Sequence, residues 1–119
     1  MNNKRVWTYY RVSDPSQRVL INYQKKLLTR FLEDKGFHIV GSIEEIGKGN
    51  NLDSRSMSNL KTHIRRHTMD YIFVYDYTRL LIHQDLLIEL QMFCELNNVQ
   101  IISMQDFKES VTSAFLFCR

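Results

Sequence analysis

Residues 6–13, near the start of the chain, read Val6-Trp7-Thr8-Tyr9-Tyr10-Arg11-Val12-Ser13. Their β-branched and aromatic side chains predict a first strand over residues 6–12. Asp14-Pro15-Ser16 breaks that strand, as turn-forming residues do. A helix is predicted from about Gln17 to Lys35, and Gly36 stands where a left-handed C-terminal cap is needed.

Downstream of this stretch, strand-like and helix-like patterns alternate along the chain. Further strands are predicted over residues 37–43, 71–75 and 99–103, and further helices over residues 56–67 and 84–97. The run over residues 71–75 is almost entirely apolar, which suits a central strand covered on both faces. This alternation predicts an α/β fold: a three-layer open sheet, mostly parallel, with right-handed crossovers.

Apolar side chains at helical spacing indicate which face of each predicted helix packs on the sheet. On the first helix they are Leu20, Tyr23, Leu27, Leu28, Phe31 and Leu32. On the next two helices they are Met57, Leu60 and Ile64, then Leu86, Leu87, Leu90, Phe93 and Cys94. Asp53 or Ser54 is expected to cap the second of the three helices.

Composition places the chain among globular proteins of one domain. It has 119 residues, of which 44% are hydrophobic and 24% charged, with a single proline. The net charge of +3 permits a polyanionic partner without requiring one. Two cysteines outside any Cys-x-x-Cys pair favour a reducing compartment, and neither a signal peptide nor a stretch of about 20 apolar residues is visible. We therefore expect a cytoplasmic protein with no membrane partner.

Candidate chemistry gathers in three loops that follow predicted strands, because open α/β sheets bind ligands beyond the carboxyl ends of their strands. The first loop region holds Arg11 and Ser13, the second ends in Arg55, and the third holds Arg79. Three guanidinium groups beside a serine predict an anion site, since guanidinium forks match phosphate oxygens. On position alone, however, a serine after a strand is more often a turn residue or a helix cap.

The first loop carries a recognisable motif, because Tyr9-Tyr10-Arg11-Val12-Ser13 resembles the Tyr-x-Arg-Val-Ser motif that opens the serine site-specific recombinases of the resolvase/invertase family. Residues 20–24, which end in a glutamine, the loop over residues 47–55, residues 70–80 and the strand over residues 99–103 resemble later family segments in the same order. The resemblance implies a resolvase-like catalytic domain over residues 1–107. We expect residues 108–119 to be a short tail that starts a truncated dimerisation helix.

The resemblance also implies a role for each matched residue. Ser13 would be the nucleophile, and Gln24 would assist it by hydrogen bonding. Arg11, Arg55 and Arg79 would bind the scissile phosphate and stabilise the charge of the transition state. The product is a 5′-phosphoserine link and a free 3′ hydroxyl, followed by strand exchange and religation, so that no cofactor is implied. DNA is the expected partner, together with self-association into a dimer or tetramer where the dimerisation helix is complete.

Two positions depart from the family pattern. The family has an aspartate directly before the arginine that Arg79 matches, and here that position is Thr78. It has a second arginine three residues after the first, and here that position is Ile82. Asp76 and His83 lie close by and are candidates to compensate. The departures keep open an alternative function: a catalytically impaired domain that binds DNA or a recombinase subunit and regulates it.

Other charged side chains carry weaker signals. Lys48, Arg65 and Arg66 are expected to contact DNA phosphates, although cations on a helix face are more often simply solvated. His63 and His67 have a helical i, i+4 spacing, but the arginines between them disfavour a metal, so no metal site is predicted. A receiver-like or nucleotide-binding domain is disfavoured because the chain has neither an acidic cluster nor a glycine-rich phosphate loop.

Overall fold

The computed structural model describes residues 4–107 as alternating strands and helices. The strands are β1 (Arg5–Val12), β2 (His38–Ile46), β3 (Tyr71–Val74) and β4 (Gln100–Ser103), and the α-helices are α1 (Arg18–Asp34), α2 (Arg55–Arg65) and α3 (Gln84–Leu96). Short 3-10 helices, Pro15–Gln17 and Tyr77–Arg79, lie in the loops after β1 and β3, and residues 104–107 are helical. The tail predicted over residues 108–119 lies outside the described residues.

The order of the strands brings the candidate loops together. The sheet runs β2-β1-β3-β4, and each of its pairings is parallel. Helix α1 packs on one face, and α2 and α3 pack on the other, which confirms the predicted three-layer α/β architecture. Because β1 lies between β2 and β3, the loops that follow these three strands meet at one edge of the sheet.

Alternate residues of β1 face two apolar layers. Val6, Tyr10 and Val12 pack towards α1, whereas Trp7 and Tyr9 pack towards α2 and α3. The buried side chains of α2 and α3 are those predicted, namely Met57, Leu60, Ile64, Leu87, Leu90 and Cys94, with Leu86 and Phe93 packed against them. Burial raises the pKa of the Cys94 thiol to about 12, so this cysteine behaves as a small buried hydrophobe.

The prediction for α1 was wrong in part. Leu20 and Tyr23 are 43% and 61% exposed, and the buried side chains of the first turns are Ile21 and Gln24 instead. Each exposed residue precedes a buried one by a single position, and one step along a helix turns a side chain by about 100°. The sequence of α1 therefore contains two overlapping apolar stripes. The stripe that packs on the sheet is the one that includes Ile21 and Leu28.

Strand β2 is longer than predicted, because it continues past Ile43 through Ile46. Its last residues stay paired in register with the end of β1. Glu44 forms an ion pair with Lys25 of α1 at 2.5 Å, and Glu45 is buried on the opposite face. The extension carries the glycine-containing loop that follows β2 up to the level of Ser13.

Two helix ends follow the predicted capping. The Ser54 hydroxyl accepts a hydrogen bond from the Met57 amide at 3.1 Å, which makes Ser54 the N-cap of α2. Gly36 has a φ of 81°, the left-handed conformation expected after α1. None of the helices within residues 4–107 is long and apolar enough to cross a membrane.

Candidate active site

Arg11 joins the three loops at the carboxyl edge of the sheet. Its guanidinium donates from Nη1 to the Gly47 carbonyl at 2.8 Å and from Nη2 to the Thr78 carbonyl at 2.7 Å. Nη1 also lies 3.3 Å from the Ser13 Oγ, as a donor to it. Arg11 is only 3% exposed, whereas Ser13 is exposed. One buried cation therefore holds the loops after β2 and β3 against an accessible serine.

Arg11 is a buried cation that has a second cation, Arg79, beside it. Burial lowers the pKa of its guanidinium, Arg79 acts in the same direction, and Glu45 opposes them. A guanidinium nevertheless stays protonated in proteins. The Arg11 Nε is buried and has no hydrogen-bond partner among the described residues. Gly49 covers it, because a Cβ added to Gly49 would lie 2.7 Å from that nitrogen.

Position 49 therefore favours glycine for two reasons: its φ of 67° lies in the left-handed region, and a side chain there would collide with Arg11. We expect Gly49→Ala to displace the guanidinium and to lower the yield of covalent serine–DNA adduct by about 10²-fold, the cost typical of losing one transition-state donor. Gly47→Ala is the matched control, since its added Cβ meets only the end of the Glu45 side chain, at 3.1 Å. Equal losses in both variants, measured on denaturing gels, would contradict the role given to Gly49.

Tyr9 and Glu45 form a buried pair beside Arg11. The Tyr9 hydroxyl donates to the Glu45 Oε1 at 2.5 Å, and the two residues are 0% and 8% exposed. Burial, followed by the nearby Glu45 carboxylate, raises the pKa of Tyr9 well above its usual value, so the phenol stays a neutral donor. Tyr9 belongs to the motif at the end of β1, but nothing in the sequence distinguished Glu45 from Glu44.

Arg79 lies beside Arg11 and is balanced by Asp76. Its Nη1 donates to the Arg11 carbonyl at 3.3 Å, and its Nε lies 3.6 Å from the Asp76 Oδ2. That distance makes an ion pair but not a hydrogen bond. Asp76 also accepts hydrogen bonds from the Thr78 amide, at 2.9 Å, and from the Thr78 hydroxyl. Asp76 therefore places a carboxylate beside Arg79, and its compensation for the family aspartate at position 78 stays a prediction.

Two further predicted residues, Arg55 and Gln24, form no hydrogen bond with Ser13 in the described part of the chain. Arg55 is exposed at the start of α2 and shares with Gly47 and Lys48 the lining of an open cavity of about 400 Å³. Gln24 is 5% exposed on the inner face of α1, and its Oε1 has no partner among residues 4–107. Both remain predictions as catalytic groups.

Arg65 and Arg66 lie at the other end of α2, about 15 Å from Arg55 along a helix of 11 residues. The Arg65 guanidinium stacks over the Phe93 ring, 5.3 Å from its centroid. The structure therefore does not bring these two arginines to the serine edge. Within residues 4–107, no three His, Cys, Asp or Glu side chains are grouped so that they could hold a metal ion.

Comparisons with known proteins agree with this geometry. The family described as "Resolvase, N terminal domain" matches residues 6–117. The N-terminal catalytic domain of TP901-1 integrase superposes with a TM-score of 0.79 at 25% identity, covering 97% of this chain and 90% of that one. The catalytic domain of ISC1926 TnpA, an IS607-like serine recombinase, gives 0.78 at 21% identity, with coverages of 92% and 79%.

A resolvase family site-specific recombinase from Streptococcus pneumoniae gives a TM-score of 0.76 at 20% identity, covering 98% of this chain and 87% of that one. No curated protein sequence matches the chain. The match over residues 6–117 of 119, on a fold shared with solved catalytic domains of the same kind, identifies the family. The chain belongs to the resolvase N-terminal domain family of serine recombinases.

Proposed function

We propose that this domain cuts and rejoins DNA in site-specific recombination, with Ser13 as its nucleophile. The observation that carries the proposal is the contact between the exposed Ser13 hydroxyl and a buried arginine that also holds the two neighbouring loops. A lone turn serine has no need of such a cation. A nucleophile that attacks a phosphodiester does, because negative charge develops on the phosphoryl oxygens beside it.

The chemical step exchanges one ester for another. The Ser13 Oγ attacks the phosphorus and loses its proton to solvent, while the bond from phosphorus to the 3′ oxygen breaks and that oxygen takes up a proton. The 5′ end is left as a phosphoserine, and attack by a 3′ hydroxyl in the reverse direction rejoins the strand. The bond energy is kept in the ester, so neither ATP nor a metal is needed for the balance.

The three arginines are assigned different roles in phosphate binding, according to how buried each guanidinium is. Arg11 already donates to two carbonyls, so it contributes mainly its nearby charge and the position of Ser13. Arg79 and Arg55 are the more accessible guanidinium groups and are assigned to the phosphate oxygens. Gln24 is assigned a supporting hydrogen bond, because its buried Oε1 has no partner among residues 4–107.

The test is direct detection of the covalent intermediate. The protein is incubated with supercoiled DNA carrying a candidate site, quenched in denaturant and analysed for a protein–DNA adduct whose linkage maps to Ser13. We expect an adduct on the 5′ side of the break together with a free 3′ hydroxyl. Absence of any adduct, on a site verified with an active relative, would refute catalysis by this chain.

A second candidate function is regulation by a catalytically impaired domain that binds DNA or a recombinase subunit. One observation favours it: Ile82, at the position of the family's second arginine, is 48% exposed at the same edge of the sheet. Its amide donates to the Gly49 carbonyl at 2.9 Å, which fixes its backbone beside the loop that covers Arg11. The cluster of cations therefore has an apolar side chain where another guanidinium would fit.

We accordingly expect Ile82→Arg to raise the yield of covalent adduct by about tenfold or more, since each added transition-state donor contributes a few kcal/mol. Ile88→Arg is the matched control, because Ile88 is similarly exposed, at 47%, but lies on α3. It adds the same charge away from the site. If neither variant exceeds the wild type, the missing arginine is not what limits cleavage.

A further inference from the structure

The outer face of α1 carries a row of cations that the active site does not use. Arg18, Asn22, Lys26 and Arg30 are four residues apart, so they form a row that winds gradually around the exposed side of the helix, and all four are exposed. Within residues 4–107, none of the three cations forms an ion pair with a carboxylate. The row extends for about 18 Å, at the helical rise of 1.5 Å per residue.

The charges of α1 run against its own dipole. A helix is stabilised by acidic groups in its first turn and basic groups in its last turn. Here the first turn holds Arg18 and no acidic residue, whereas the last turn holds Glu33 and Asp34 and no basic one. Each reversed charge is modestly unfavourable for the helix. Helix stability therefore does not explain why Arg18 stands at the start of α1, whereas Lys26 and Arg30 lie in its middle and later turns.

The position of the row supplies an explanation. Helix α1 follows the Ser13 loop, and Arg18 is five residues beyond Ser13, which limits their separation to about 17 Å even for an extended chain. The row thus starts at the edge where the scissile phosphate must lie and leads away from it. Val19 and Tyr23, which are 68% and 61% exposed, flank it and offer contacts to sugars and a hydroxyl to phosphates.

We propose that this row, Arg18 with Lys26 and Arg30, binds the DNA backbone beside the cleavage site. The proposal rests on the proposed function for the identity of the polyanion. It assigns positioning of the duplex to α1 and leaves the chemistry to Arg11, Arg55 and Arg79. A helix with cations and exposed apolar side chains also fits an anionic membrane surface, but the start of the row at the nucleophile edge favours DNA.

The test compares two triple variants of the whole chain. One carries Arg18→Gln, Lys26→Gln and Arg30→Gln. The comparison set carries Lys61→Gln, Arg65→Gln and Arg66→Gln on α2, where Arg65 and Arg66 are the rival DNA contacts predicted from the sequence, and each set removes three positive charges. Binding of a short fluorescein-labelled duplex is measured by anisotropy over a range of NaCl concentrations. The α1 variant should lower the slope of log Kobs against log salt by about 2–3 and the affinity by more than about tenfold.

Three outcomes overturn the proposal: no binding by the wild type at the lowest salt, equal loss in both variants, or greater loss in the α2 variant. Binding of the wild type to phosphatidylserine vesicles through the same residues, with an unchanged DNA slope, overturns it in favour of a membrane. If the wild type binds DNA without forming an adduct, the role of Ser13 as nucleophile is refuted, but the binding of DNA by α1 is not.

Discussion

Replacing Ser13 by alanine should abolish the covalent protein–DNA adduct and leave the fold intact. The side chain is exposed, and its only described hydrogen bond is the one it accepts from Arg11 at 3.3 Å. Removal of such a hydroxyl changes the free energy of unfolding by less than about 0.5 kcal/mol. Without the oxygen no phosphoserine can form, so the adduct should fall below detection while DNA binding persists.

Ser16→Ala is the matched control for this prediction. Ser16 lies in the same loop, within the short 3-10 helix after β1, and is also exposed. We expect it to retain the adduct yield of the wild type. An adduct that survives in Ser13→Ala, or an equal loss in Ser16→Ala, would exclude Ser13 as the nucleophile. The assay is a denaturing gel, with urea unfolding to establish that both variants are folded.

Arg11→Ala should damage stability and catalysis together. The change leaves the part-buried carbonyls of Gly47 and Thr78 without their donor, and it removes the cation beside Glu45. An unpartnered polar group costs about 1–3 kcal/mol when fully buried and less where water reaches it, so we expect a loss of about 1–3 kcal/mol in unfolding free energy. Adduct formation should fall by at least about 10²-fold, as for the loss of an electrostatic donor.

Arg11→Lys separates the two effects. A lysine keeps the charge but is a single point donor, so it cannot span both carbonyls as a guanidinium fork does. We expect it to recover part of the stability and little of the activity. Because Arg11→Ala lowers stability, activity is compared at a temperature where urea titration shows each variant folded. Full activity in either folded variant would show that Arg11 only holds the loops.

Much of this arrangement could be predicted from the sequence, because strand and helix periods determine which loops share an edge. The period-2 and period-3.6 patterns placed Arg11, Ser13 and Arg79 at one edge, and the structure brings these three together. Sequence spacing did not separate Arg65 and Arg66 from that edge. Their distance follows from the direction of α2, which leads away from the serine.

Other features depended on packing that no local pattern encodes. Glu45 is part of the site because β2 continues three residues beyond its apolar section and places that carboxylate under Tyr9. Gly49 matters because of a contact with an arginine 38 positions earlier in the chain. The outer face of α1 was misassigned because two apolar stripes compete on it, and only the sheet decides between them.

The central position of β1 has a consequence for how the protein is made. The nucleophile loop leaves the ribosome early, but the groups that hold it come from the ends of β2 and β3, as late as Thr78 and Arg79. Contacts between residues so distant in sequence form slowly and only after both segments exist. A nascent chain that ends before residue 78 contains Ser13 and Arg11 but lacks Arg79 and the Thr78 carbonyl that Arg11 binds, so a truncated translation product should be unable to cut DNA.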